Sequence, residues 1–203
     1  MMILRSSPAS PFARKVRMAI DMLGLGDRVE IVETDVIDPA DSIREQNPLG
    51  KIPALILEDR RVIYDSLVIV LYLDSLSDAA ELLPSGARRF DVLTRHALAD
   101  GLMEAALAQV YEKRFRPEEK WHPGWMERQA EKVGRALDAL ESDPPDLGAP
   151  SNLAQIATAC ALGYLDLRFE GAWRSSHPGL VAWLDAFAAK VPAFARTAPP
   201  AGV

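Results

Sequence analysis

In the first 76 residues, β-rich runs and helix-patterned runs follow one another in an order that few folds accommodate. Met2 to Arg5 is a short apolar run that reads as a strand, and Ser6-Ser7-Pro8-Ala9-Ser10-Pro11 interrupts it. Phe12, Val16, Ile20 and Leu23 then recur at near-helical spacing, with Arg14, Lys15, Arg17 and Asp21 between them, which predicts an amphipathic helix. Ser10 stands at the N-cap position and Pro11 in the first turn, where its missing N–H costs nothing. Gly24 and Gly26 close the other end. Val29 to Thr34 alternates apolar and charged residues and reads as a second strand. Asp38 to Gln46 fits a short helix or an irregular turn. Pro53 to Leu57 and Val62 to Tyr64 are β-rich, with Glu58-Asp59-Arg60-Arg61 between them as a hairpin turn. Asp65-Ser66 is a helix start signal, with Ser66 as the cap of an apolar helix running through Leu76.

The order β-α-β followed by β-β-α is that of a thioredoxin-like domain. From Ser77 to Gly86 the pattern lapses into Ser, Asp, Pro and Gly, a candidate linker. Beyond it every periodic segment is helical: Leu93 to Tyr111, Gly124 to Leu140, Asn152 to Phe169 and Pro178 to Lys190. No period of 20 to 50 residues recurs, which argues against a solenoid. The expected architecture is therefore α/β plus all-α: a thioredoxin-like domain over 1–77 and an all-helical domain over 87–203. A net charge of −6 lacks the basic excess of a nucleic-acid binder, and no apolar stretch has the length of a membrane span. With a single cysteine, Cys160, and no signal-peptide layout, the expectation is a cytoplasmic protein.

Three stretches of the first domain carry groups that bind ligands as readily as they shape turns. Ser10 is an N-cap contributing about 1 kcal/mol. Its hydroxyl also lies at the positive end of a helix dipole, where an anion is welcome. A thiol of pKa about 8.5 needs roughly two units of depression to ionise well at neutral pH, or about 2.7 kcal/mol. One hydrogen bond to a charged group contributes about 1.5–3 kcal/mol, so a serine donor and a helix terminus suffice. Asn47-Pro48-Leu49-Gly50-Lys51-Ile52-Pro53 leads into a strand. A turn there aims the main chain of Ile52 out of the sheet edge, where an extended peptide can pair with it. Asp65-Ser66 reads as a cap with a favourable charge beside it. It also pairs a carboxylate with a hydroxyl at a helix N-terminus, which suits the ammonium and carboxylate of an amino acid.

On these residues the chain resembles a cytosolic glutathione transferase of the serine type, over essentially its whole length. Ser10-Pro11-Phe12-Ala13 stands where thioredoxin-type proteins carry Cys-Pro-x-Cys. Asn47-Pro-x-Gly-Lys-Ile-Pro53 precedes the third strand and Asp65-Ser66 opens the third helix. The resemblance implies a cis Pro53, backbone pairing of Ile52 with the cysteinyl unit of glutathione, and Asp65 with Ser66 on its γ-glutamyl end. Lys51 is implied for the glycyl carboxylate and Ser10 for the catalytic position. It implies glutathione as co-substrate, no metal, a small hydrophobic second substrate and a homodimer.

The chain departs from the family pattern at Asp65, where glutamate is usual, and at Asn152-x-x-Gln155, where a Ser/Thr-x-x-Asp box usually opens the buried helix. Gln at the third position still completes a capping box. Ser10 and Ala13 in place of two cysteines exclude dithiol–disulfide exchange. Cys160 among alanines and leucines reads as a core residue. His96, His122 and His177 are too scattered to ligate a metal and read as surface or turn residues. Phe12, Ala9, Met103, Leu107, Tyr111 and Phe115 are the region from which a second-substrate pocket could be built. The expected activity is transfer of the glutathione thiolate to an electrophilic carbon, in the manner of a detoxification enzyme. The alternatives are a non-catalytic glutathione-binding or partner-docking protein, or a glutathione-dependent isomerase, peroxidase or dehalogenase.

Overall fold

The computed structural model describes residues 1–77, 81–148 and 150–200. It divides into two compact units, one formed by Met1–Pro84 with Val191–Val203 and one by Ser85–Lys190. The tail beyond Val191 thus belongs with the first unit, whereas the sequence reading placed it in the helical domain.

In the first unit, strand β1 (Met2–Ser6), helix α1 (Pro11–Met22) and strand β2 (Val29–Glu33) are followed by a short helix α2 (Ile43–Gln46). Strands β3 (Ala54–Ile56) and β4 (Val62–Ile63) and helix α3 (Ser66–Asp74) complete the series. The sheet runs β2-β1-β3-β4, with β1 parallel to β2 and antiparallel to β3, and β3 antiparallel to β4. Helices α1 and α3 pack on each other, and α3 packs on β3. Leu4, Val16, Ile20, Leu55, Ile69 and Leu73 form the core.

Helix α1 ends as its glycines predict. Gly24 adopts φ +67°, its N–H bonds the Asp21 carbonyl, and the Leu25 N–H reaches back to Ile20 at 2.9 Å, a Schellman closure with both side chains buried. The polar face of α1 departs from the amphipathic pattern, because Arg14 and Lys15 are buried. Arg14 donates to the Phe194 carbonyl at 2.7 Å, and its guanidinium lies 4.1 Å from the centre of the Phe194 ring. Phe194 sits on a short terminal helix, α8 (Ala193–Arg196), whose Arg196 also pairs with Asp21. The charges on α1 therefore hold the tail. The Arg196 guanidinium keeps the Asp21 carboxyl below its ordinary range.

Of the segment read as a linker, residues 78–80 lie outside the described residues. Leu82 and Leu83 are buried, and the Leu82 N–H is held by Asp74, so that part is anchored.

In the second unit, α4 (Arg88–Phe115), α5 (Pro123–Ser142), α6 (Leu153–Phe169) and α7 (Pro178–Lys190) form the bundle, with α4 packed on both α5 and α6. Helix α6 is the buried centre. Asn152 accepts from the Ala154 and Gln155 N–H groups, and Gln155 answers from the Asn152 N–H, the reciprocal box expected of that pair. Cys160 is buried within α6. His96, read as a surface or turn residue, is instead buried within α4, and His177, in the turn before α7, is buried as well. His177 is held between Asp138 and the Trp173 carbonyl, while His122 caps α5. No helix among the described residues is long and apolar enough to cross a membrane.

Candidate functional site

Strand register brings the three ligand-type stretches to one end of the sheet. Arg5 near the end of β1 pairs with Ala54 at the start of β3, and Leu55 pairs with Ile63 at the end of β4. The chain leaving β1 toward Ser10, the chain entering β3 through Ile52 and Pro53, and the chain leaving β4 into Asp65 and Ser66 consequently emerge together. Helices α1 and α3 both begin there, so two positive helix ends share that edge.

Ser10 caps α1 from extended geometry, and its Oγ accepts from the Ala13 N–H at 3.2 Å. A hydroxyl both accepts and donates. Among the described residues only its acceptor is engaged, which leaves the proton of a half-buried Ser10 for an external acceptor.

The stretch before β3 is built by two side chains outside the candidate set. Asn47, buried, donates from Nδ2 to the Lys51 carbonyl at 2.8 Å and accepts at Oδ1 from the Leu49 N–H at 3.0 Å, while the Gly50 N–H bonds the Asn47 carbonyl. Gly50 has φ +60°, a conformation that glycine adopts without the Cβ penalty. Upstream, the buried Arg5 donates to Thr34, Ser42, Gln46 and Asp41, tying α2 to the sheet. The result is a rigid turn ending in a cis Ile52–Pro53 bond. The Ile52 N–H and C=O have no hydrogen-bond partner among the described residues. Lys51 is exposed.

At the start of α3 the roles of the two residues differ from the sequence reading. Asp65, not Ser66, is the N-cap, and its Oδ1 accepts from Leu67 and Val68 at 3.1 and 3.4 Å. The reason is positional: in a β-region cap the side chain that folds back on the second and third helical N–H groups belongs to the residue before the first turn. Ser66 becomes the first residue of the helix. It is buried, and its hydroxyl has no hydrogen-bond partner among the described residues. The Tyr64–Asp65 bond is also cis.

No group of three His, Cys, Asp or Glu among the described residues could hold a metal. Of the apolar candidates, Met103 is core, whereas Tyr111 and Phe115 are exposed and meet edge to face at 5.0 Å.

This arrangement defines a thioredoxin-like site with a serine at the head of its first helix, joined to a helical bundle. Residues 4–81 match the family model described as the glutathione S-transferase N-terminal domain, and residues 123–186 match that of its C-terminal domain. The chain belongs to the glutathione S-transferase family. It is 35% identical to the uncharacterised GST-like protein YibF of Escherichia coli, over 98% of this chain and 99% of that one. Among solved structures it resembles a glutathione transferase family member from Pseudomonas fluorescens Pf-5 with bound glutathione, at 39% identity and TM-score 0.92, covering 98% of this chain and 100% of that one. A glutathione S-transferase from Methylobacillus flagellatus with glutathione bound is similar at 38% identity and TM-score 0.92, over the same shares of the two chains. The Pseudomonas protein has also been solved with S-(propanoic acid)-glutathione, at TM-score 0.88 to this chain.

Proposed function

We propose that this protein is a glutathione transferase that binds glutathione at the sheet edge described above, stabilises its thiolate with Ser10 and conjugates it to a small hydrophobic electrophile. The observation that carries the reading is the Ser10 hydroxyl: its acceptor faces the Ala13 N–H, and its proton is left to donate at the positive end of α1. Ile52 offers an N–H and a C=O to the cysteinyl unit. Ser66 offers a hydroxyl to the γ-glutamyl carboxylate, and Lys51 offers a charge to the glycyl carboxylate. Asp65 has its second carboxylate oxygen left for the ammonium, since only Oδ1 is engaged by the cap.

The thiolate attacks the electrophilic carbon, a C–S bond forms, the leaving group departs with its bonding electrons and the thiol proton passes to solvent. Holding the two reactants together supplies much of the acceleration. The conjugate in the Pseudomonas relative is a thioether whose S-substituent ends in a carboxyl group, the kind of product such a step yields.

The proposal includes a cytoplasmic homodimer acting in detoxification. Helix α3 is apolar around its circumference, yet Val68 is 47% exposed, and in the helical unit Phe90 is 70% exposed. A monomer by light scattering at micromolar concentration would contradict the dimer. The activity itself is tested by calorimetry with glutathione followed by a panel of aryl halides, epoxides and activated alkenes. Saturable binding with turnover of at least one electrophile is expected. Binding without any turnover would replace the enzyme with a glutathione-binding protein, and absence of binding would remove both.

A further inference from the structure

Strand β1 alternates its side chains between two faces, so with Leu4 in the core Arg5 projects from the opposite side of the sheet, where it too is buried. Four of its five N–H groups are engaged. Nε donates to Thr34 Oγ1 at 2.8 Å, one terminal nitrogen to Ser42 Oγ at 3.1 Å and Gln46 Oε1 at 3.0 Å, and the other to Asp41 Oδ1 at 2.7 Å. All four partners lie in one connection, from the residue after β2 to the end of α2. A buried charge is tolerated only when it is paired and hydrogen-bonded, and the planar fork of arginine lets one group meet four oxygens.

Little else fastens that connection. Of residues 35–50, only Ile43 and Asn47 are buried. Most polar contacts of 35–46 fold the stretch on itself: Asp35, Asp38 and Asp41 each accept from the N–H two residues ahead, and Arg44 donates to the Val36 and Asp38 carbonyls. Among the described residues, the side-chain hydrogen bonds that join 35–46 to the sheet all run from Arg5. The connection leads straight into Asn47, whose N–H bonds the Ile43 carbonyl at 2.7 Å and whose side chain holds Leu49 and Lys51. An exposed stretch with one apolar anchor is the kind that opens locally. A ligand that needs the closed form then binds more weakly in proportion to the fraction closed.

We propose that Arg5 is a positioning residue for glutathione: without touching the tripeptide, it sets the affinity of the Asn47–Ile52 turn by holding closed the connection that leads into it. The proposal rests on the glutathione reading above, in which Ile52 and Lys51 meet the cysteinyl and glycyl parts. The path from Arg5 through Gln46 and Asn47 to Ile52 does not pass through α1 or its Ser10 cap. Arg5 therefore governs how tightly glutathione is held, not how readily its thiol ionises.

The test is calorimetry of glutathione with the full chain as wild type, Arg5→Gln, Arg5→Lys and Asp41→Asn, alongside amide hydrogen exchange of each protein without ligand. Arg5→Gln should weaken glutathione about tenfold, the loss that follows when the closed turn is populated about a tenth of the time. Arg5→Lys keeps a charge for Asp41 but not the fork and should fall between the two. Asp41→Asn keeps an oxygen for Arg5 and should weaken binding about threefold. In Arg5→Gln the Leu49 and Gly50 amides should lose most of their protection while Ala13 keeps its own, and the bound-thiol pKa should stay within about 0.3 unit of wild type. Combined with Asn47→Ala, which acts on the same turn, Arg5→Gln should add little further loss; combined with Ser66→Ala the losses should multiply. Ile20→Val, in the core of α1, should lower the urea midpoint without changing affinity, which separates positioning from stability. Should Arg5→Gln fail to fold, Arg5→Lys and Asp41→Asn read the same contact. Wild-type affinity kept in these variants, a loss that multiplies with Asn47→Ala, or a shifted thiol pKa overturns the proposal and leaves the glutathione reading standing. A wild-type protein that does not bind glutathione removes both.

Discussion

Substituting Ser10 separates two roles that one hydroxyl combines. As an N-cap it accepts from Ala13 at 3.2 Å, and losing that bond in Ser10→Ala should cost about 1 kcal/mol of stability. As a donor to the bound thiolate it should be worth about 1.5–3 kcal/mol, the range for a hydrogen bond to a charged group. Removing a donor that favours the charged form raises the thiol pKa by roughly one to two units. If the wild-type enzyme holds that pKa near about 6.5, the thiolate fraction at neutral pH falls about threefold to twenty-five-fold in the variant. Raising the pH above the new pKa should restore it. Ser10→Asp resolves the ambiguity, because aspartate caps helices well and suits the positive helix end but donates nothing and places a negative charge beside the sulfur. Stability should therefore recover in the aspartate variant while the thiol pKa rises further. The assay is ultraviolet thiolate absorbance of bound glutathione against pH, alongside urea denaturation of each protein without ligand. A bound-thiol pKa in Ser10→Ala within about 0.3 unit of wild type refutes the role given to Ser10, however much activity is lost.

Three further outcomes follow from named contacts. Ser66→Ala should leave stability within about 0.5 kcal/mol, since the hydroxyl has no partner among the described residues, yet weaken glutathione by about tenfold or more in calorimetry. Asn47→Ala should do both. It frees the Leu49 N–H and the Lys51 carbonyl, costing about 1–3 kcal/mol in urea denaturation, and loosens the turn that presents Ile52. Tyr164 ties stability to alkaline pH. Its pKa rises from 10.0 to about 12 in the folded protein, so its contribution is intact below pH 10 and is lost as pH climbs toward 12. The loss should reach about 2–3 kcal/mol, measured as denaturation midpoints across that range, and be missing from Tyr164→Phe.

What the sequence disclosed depended on how local each signal was. The start and stop of α1 were legible because a cap, a proline and an αL glycine act on neighbouring N–H and C=O groups, and Ser10, Pro11 and Gly24 do so. The box at Asn152 and Gln155 was legible for the same reason. The buried Arg14 was not. Periodicity assigns a charged residue to the solvent face, whereas its partner Phe194 lies 180 residues away on a tail that no local pattern connects to α1. The burial of His96 and His177 was not legible either, since it is a property of packing across the bundle.

The exchange of roles between Asp65 and Ser66 bears more directly on function. Both residues are competent caps, and composition does not say which of the two neighbours stands at the cap. Placing Asp65 at the cap keeps Ser66 free of intrahelical duties, and its hydroxyl has no hydrogen-bond partner among the described residues. The cap that Asp65 provides is therefore what leaves Ser66 available to a carboxylate, and an aspartate short enough to close on Leu67 and Val68 with one oxygen still keeps the other for an ammonium. On this geometry the shorter side chain is compatible with a zwitterion site, and Asp65→Asn, which can preserve the cap, should reduce glutathione affinity through the ammonium alone.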